Sequence, residues 1–142
     1  MTYTEDTDFE ALAHALIGCT LPKTDWTHEA HFAAALWFIR HPERDAEREM
    51  PSTILAYNEA TGVPNTDREG YHETITLASL RMAERHLRTH CEAARLGHVL
   101  STLMDGPLGH SGWLLTYWSK PVLFSVAARR RWVGPDLQKL PV

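Results

Sequence analysis

The chain reads as an all-α protein, a bundle-like array of roughly five to seven helices in a single domain. Three observations lead there. Apolar residues recur at helical spacing in several segments, as in "DFEALAHALI" and "AHFAAALWFI". No segment alternates apolar and polar residues as a half-buried strand does. The helical stretches are separated by breakers: "GCTLPK", Pro42, "GVPNTDREG" and "DGPLGHSG". A chain of 142 residues is also of ordinary single-domain size.

Taken in order, residues 8–17 form a short amphipathic helix with Phe9, Leu12, Ala13 and Leu16 on one face and Thr7 or Asp8 as its cap. The next helix starts at Asp25 or Thr27 and runs to about Arg40. Its body is apolar nearly all round, which marks residues 26–40 as the central, buried helix. "PERDAEREM" is charged and expected to be exposed, with Pro51 in the first turn of a helix through "STILAYNEAT" and Gly62 just past its end. A long helix over residues 70–89 follows, then one over 92–104. "WLLTYWS" and "PVLFSVAARRRW" read as short helices. Residues 133–142 read as an irregular tail anchored by Val133, Leu137 and Leu140.

Composition narrows the function. Apolar residues make up 44% and charged residues 23%, an ordinary globular balance. A net charge of −4 offers no broad electrostatic case for nucleic acid or an anionic membrane. No apolar run approaches the ~18 residues of a membrane span. The acidic start "MTYTEDTDFE" lacks the order of a signal peptide, and Cys19 and Cys91 form no C-x-x-C, so reduced thiols and a cytoplasmic location are expected. There is no Walker loop and no G-x-G-x-x-G. "GHSGW" lacks the closing glycine and the preceding strand of a nucleophile elbow.

The histidines carry the functional signal. In "WTHEAHF", His28 and His31 lie three apart at a helix start, and in "GYHETIT", His72 opens the long helix. Residues three apart on a helix are neighbours, ~5–6 Å between Cβ atoms, so His28 and His31 can face one ion, with Ala35 leaving room above. Thr76, Ser79 and Ala83 continue the row of His72, a small, semi-polar wall suited to a pocket. Helix starts disfavour imidazolium, and neutral imidazole is the form that binds metal. Three imidazoles from two helices would leave an open position on a divalent transition metal: zinc, iron, nickel or copper. Glu73, then Glu29, are the candidate general bases, although first-turn glutamates are also favoured by the helix dipole alone. Arg129 and Tyr71 are candidate substrate-binding residues. His86 and His90, flanked by Glu84, Arg85 and Arg88, read instead as a solvated helix end. Asn58 and Asn65 read as shapers of the turn between them.

Together "WTHEAHFAAALWFI", "YNEATGVPNT", "GYHETIT" and "YWSKPVLFSVAARRRWVGPDL" resemble a family of small, poorly characterised bacterial all-helical proteins, over residues 26–137. That resemblance implies only that the two histidine motifs belong together. A looser likeness is to metal-binding helical bundles of the DinB type, whose histidine spacing differs. The expected function is a metal-dependent enzyme, hydrolytic or oxygen-dependent, acting on a small molecule. The alternative is a non-enzymatic ligand-binding or oligomerising helical module, for which a homodimer would be in character.

Overall fold

A computed structural model describes residues 2–142. Among them the chain forms seven α-helices, three 3-10 turns and no strand, so the fold is all-α. Helix α1 (Asp6–Ile17) begins two residues ahead of the expected start at 8, because Asp8 does not cap it from outside. The Asp8 carboxylate lies within the first turn and accepts from the N–H groups of Thr4 and Glu5, at 3.0 and 2.9 Å. Those two bonds hold its carboxyl below the usual carboxylate range.

Helix α2 (His28–Arg40) starts where Thr27 Oγ1 accepts from Ala30 N–H at 3.2 Å, an ordinary N-cap. Its Ala30 and the run Phe32 to Phe38 are buried, and it packs against four of the other helices. The small side chains of Ala33, Ala34 and Ala35 let those neighbours approach, while Phe32, Leu36 and Phe38 fill the space between them. Helix α3 (Ala46–Ala60) corrects the expectation for "PERDAEREM": the helix begins inside that stretch and carries Pro51 in its interior. Glu49 makes this start possible. Its carboxylate accepts from Asp45 N–H at 2.7 Å and pairs with Arg44 at 2.9 Å. Burial of Met50 and Ile54 on the inward face offsets the bond that proline removes. Gly62, at φ +79°, follows its end as expected.

Helix α4 (Glu73–Leu87) is shorter than expected at both ends, and α5 (Leu96–Asp105) starts four residues later than the expected 92. The start of α5 is set from a distance: Asp6 of α1 accepts from Leu96 N–H at 3.2 Å. The two short helices α6 (Lys120–Leu123) and α7 (Val126–Arg130) close the chain around fully buried Trp118. In the tail, Trp118 Nε1–H donates to Val133 O and Leu137 N–H to Tyr117 O, both at 2.9 Å. The side chain of Leu137 is 57% exposed, so its backbone is the anchor, contrary to the expected apolar contact. Leu140 does pack on the core. No helix of the described residues is long and apolar enough to cross a membrane.

Gly97 lies inside α5 at the contact with the chain's start. A Cβ there would come within 2.1 Å of Thr4 O. Alanine is the better helix former by ~1 kcal/mol, yet Gly97→Ala must force the segments apart. Its expected effect is a net destabilisation of ~1–3 kcal/mol, read as a lower urea midpoint at unchanged slope.

Candidate functional site

The start of α4 is built around His72, which serves as its N-cap rather than a first-turn residue. Nδ1 of the ring accepts from Ile75 N–H at 3.2 Å, so the ring proton sits on Nε2, which donates to Leu123 O at 2.7 Å. Burial is the main reason its pKa lies below the ordinary histidine value, and nearby Arg129 adds to it. Both nitrogens of His72 are therefore engaged by the fold.

The loop before His72 is held as firmly. Asn65 Oδ1 accepts from Asn58 Nδ2 at 3.0 Å and from Tyr71 N–H at 3.1 Å, while its amide donates to Leu55 O at 3.2 Å. Gly70 adopts φ +84°, and a Cβ there would lie 2.2 Å from Pro64 O. Arg129, expected to grip a substrate, instead donates to the carbonyls of Gly70 and Tyr71 at 3.0 and 3.2 Å. Tyr71 O–H donates to Glu73, and burial first, then that carboxylate, pushes the phenol far above its ordinary value.

The start of α2 is arranged differently. His28 donates Nε2–H to Leu108 O at 2.8 Å. His31 stacks on Trp26, with ring centroids 3.9 Å apart and planes 27° apart. Trp26 occupies the position before the Thr27 cap, and His31 is the fourth residue of the helix, so the two form a hydrophobic-staple pair. Among the described residues His31 bonds to no protein group, yet no fully buried side-chain nitrogen or oxygen there lacks a partner. Its nitrogens therefore open onto a cavity. Protein surrounds the ring on its other sides, and burial, helped by His28, lowers its pKa to about 4.

That cavity, about 400 Å³, lies between α2, α3 and α4. Trp26, Met50, Ile54 and Ile75 form much of its apolar wall, and His31, His72, Thr76 and Ser79 its polar part. Among the described residues, Lys23 is the only permanently charged one lining it. Tyr57 also lines it, but its hydroxyl is committed to Leu21 O at 2.8 Å.

The candidates thus divide. His31, His72 and Tyr71 share this cavity. Glu73 and Arg129 line a neighbouring hollow on the far side of Tyr71, with Arg48, Asp67 and Arg130. Glu29 lines neither; with Asp25 it stands near Tyr3, whose phenol is pushed up to about 12, by burial first. Among the described residues no three histidine, cysteine or carboxylate side chains are grouped to hold an ion. An ion shared by His28, His31 and His72 would require His72 to release at least one backbone bond and His28 to rotate. His86 and His90 also depart from the expected solvated face: both are half-buried, with Nε2 atoms 2.8 and 3.2 Å from Thr102 Oγ1. Trp26 and Lys23 are the site residues missed in the sequence. The staple spacing could have identified Trp26.

No protein-family model matches the chain, and neither a curated protein nor a solved structure does. The chemistry of the site therefore rests on its own geometry.

A histidine whose folded-state pKa is lowered takes up its proton more readily when unfolded, so protonation favours unfolding. The contribution of His31 is full above an unfolded value of ~6.5 and is lost as pH falls toward about 4. Urea titrations from pH 7 to 4 should lose up to ~3 kcal/mol through this group. His31→Gln should remove the largest part of that slope above pH ~4.5, before Asp8 and Asp136, whose pKa values are also lowered, begin to protonate.

Proposed function

We propose that this protein is a ligand-binding helical domain that takes a small, largely apolar molecule into the cavity above His31. One observation carries the reading: a neutral, Trp26-stacked imidazole faces that cavity with no hydrogen-bond partner among the described residues, while Tyr57 and His72 beside it are already bonded to backbone. An imidazole so placed offers one donor and one acceptor to a ligand. A cavity of about 400 Å³ falls within the size range of small-molecule sites. Apolar walls with few convergent polar groups are the usual composition of such sites. With a pKa of about 4, His31 is a weak base at neutral pH, which favours binding over proton abstraction.

The metal-dependent enzyme is the second reading, favoured by His31 and His72 lining one cavity. It asks that His72 give up a bond of its cap and that His28, or a substrate atom, complete the coordination of a divalent transition metal. Glu73 would then act across Tyr71 as the base.

Fragment screening of untagged protein by ligand-observed NMR, with elemental analysis of the same sample, separates the two. On the binding reading, hits raise the melting temperature, by ~2.7 kcal/mol of stability at a hundredfold excess over Kd. His31→Ala weakens them about tenfold, whereas His28→Ala does not. Hits that bind His31→Ala as tightly as the parent would end this reading. One bound ion per chain, lost in both His31→Ala and His72→Ala, would replace it with the metal centre.

A further inference from the structure

A second, larger cavity lies along the other half of α4, and the proposed function makes no use of it. Its volume is about 650 Å³, and it is bounded by α4, α5 and the segment 106–117. Met82, Leu103, Leu108, Trp113, Tyr117 and Pro141 supply its apolar surface. The segment forming one wall is held in place. Gly109 packs so closely on α5 that a Cβ would stand 1.9 Å from Met104 O, and Leu108 O accepts from His28. The polar groups on the helical side satisfy one another: Thr102 O–H donates to Val99 O at 2.9 Å, and His86 Nε2–H donates to Thr102 Oγ1 at 2.8 Å. Burial lowers the pKa of His86, so this ring adds no charge at neutral pH.

Two further groups line it: His110, which is exposed, and Arg85, the only permanently charged side chain among the described residues on its wall. Six of the other arginines lie against carboxylates. Arg85 forms no such pair among the described residues, yet it lines this cavity. The chain has 18 aspartates and glutamates, and none of them lines it. An apolar chamber with one free guanidinium and no carboxylate is complementary to one kind of small molecule.

We propose that this cavity binds an organic monoanion with an apolar body, such as a medium-chain or aromatic carboxylate. The apolar part lies among Leu103, Leu108 and Trp113, and the carboxylate meets Arg85. Arg85 accounts for the preference for charge and the apolar walls for the preference for size. The site is independent of the cavity over His31, which meets α4 at Ile75, Thr76 and Ser79.

Calorimetric titration of the intact protein with decanoate and with decanol, both below their aggregation thresholds, tests this. Decanoate is expected to bind at one per chain, about tenfold tighter than decanol. Arg85→Gln, a change at an exposed residue, should bring decanoate down to the affinity of decanol and leave decanol unchanged. Gly112 lines the same cavity at φ −87°, and a Cβ there would meet nothing within 4 Å. The backbone at Gly112 therefore admits a side chain, and Gly112→Phe should abolish binding of both compounds, with circular dichroism unchanged. The proposal is overturned if decanoate does not bind, if decanol binds equally well, or if Arg85→Gln leaves decanoate unaffected. Unaltered binding in Gly112→Phe also overturns it.

Discussion

One imidazole joins two distant parts of this chain. The ring of His72 accepts from Ile75 N–H at the head of α4 and donates to Leu123 O at the end of α6, so a single side chain caps one helix and ties it to a segment about fifty residues away. Only the neutral ring with its proton on Nε2 satisfies both contacts, since protonation of Nδ1 would remove the acceptor that Ile75 needs. Much of the surrounding structure is arranged around this junction. Asn65 and Arg129 fasten the two residues ahead of it, and Thr74 O–H donates to Arg131 O at 2.8 Å two residues later. The C-terminal third of the chain is thereby tied to α4 by polar contacts, and its Trp118, Leu123 and Ala128 are buried.

Those commitments decide what the cavities can do. A side chain whose polar atoms serve the fold is unavailable to a ligand, and this is the condition of His72, Tyr57, Asn65 and Arg129. His31 differs because Trp26 stacks on the ring face and no hydrogen bond among the described residues engages its nitrogens. The same reasoning sets Arg85 apart from the arginines engaged in ion pairs. The two sites thus differ in character: a neutral hydrogen-bonding group in the smaller cavity, a cation in the larger. Helix α4 forms a wall of both, and its small residues Ala78 and Ala83 are fully buried against α2 and its neighbours.

Placing functional groups along one central helix pair has a consequence for stability. His31, His72 and His86 are all held below the ordinary histidine pKa, chiefly by burial, and none faces a carboxylate that would reverse the shift. Each favours the folded chain at neutral pH and opposes it in acid. Asp8, in the first turn of α1, and Asp136, which accepts from Ser119 N–H just ahead of α6, act in the same direction at lower pH.

The amino-acid sequence by itself determined the helical class and the buried course of α2, and narrowed its cap to Asp25 or Thr27, because spacing and capping are local properties that a short stretch encodes. It also singled out Thr76 and Ser79, which line the smaller cavity, and the role of Asn58 and Asn65 in shaping their turn. The starts of α3 and α5 were not legible, since Glu49 overrides the expectation set by Pro51 and Asp6 caps α5 from ninety residues away. The direction of each histidine was a tertiary matter too. His28 and His31 share a helical face, yet one finds Leu108 O and the other Trp26, and which neighbour is within reach depends on how distant segments pack. His72 looks in sequence like any histidine beside a glutamate. Only the approach of Leu123 committed its second nitrogen, because a carbonyl with no other donor nearby takes the one that the fold presents.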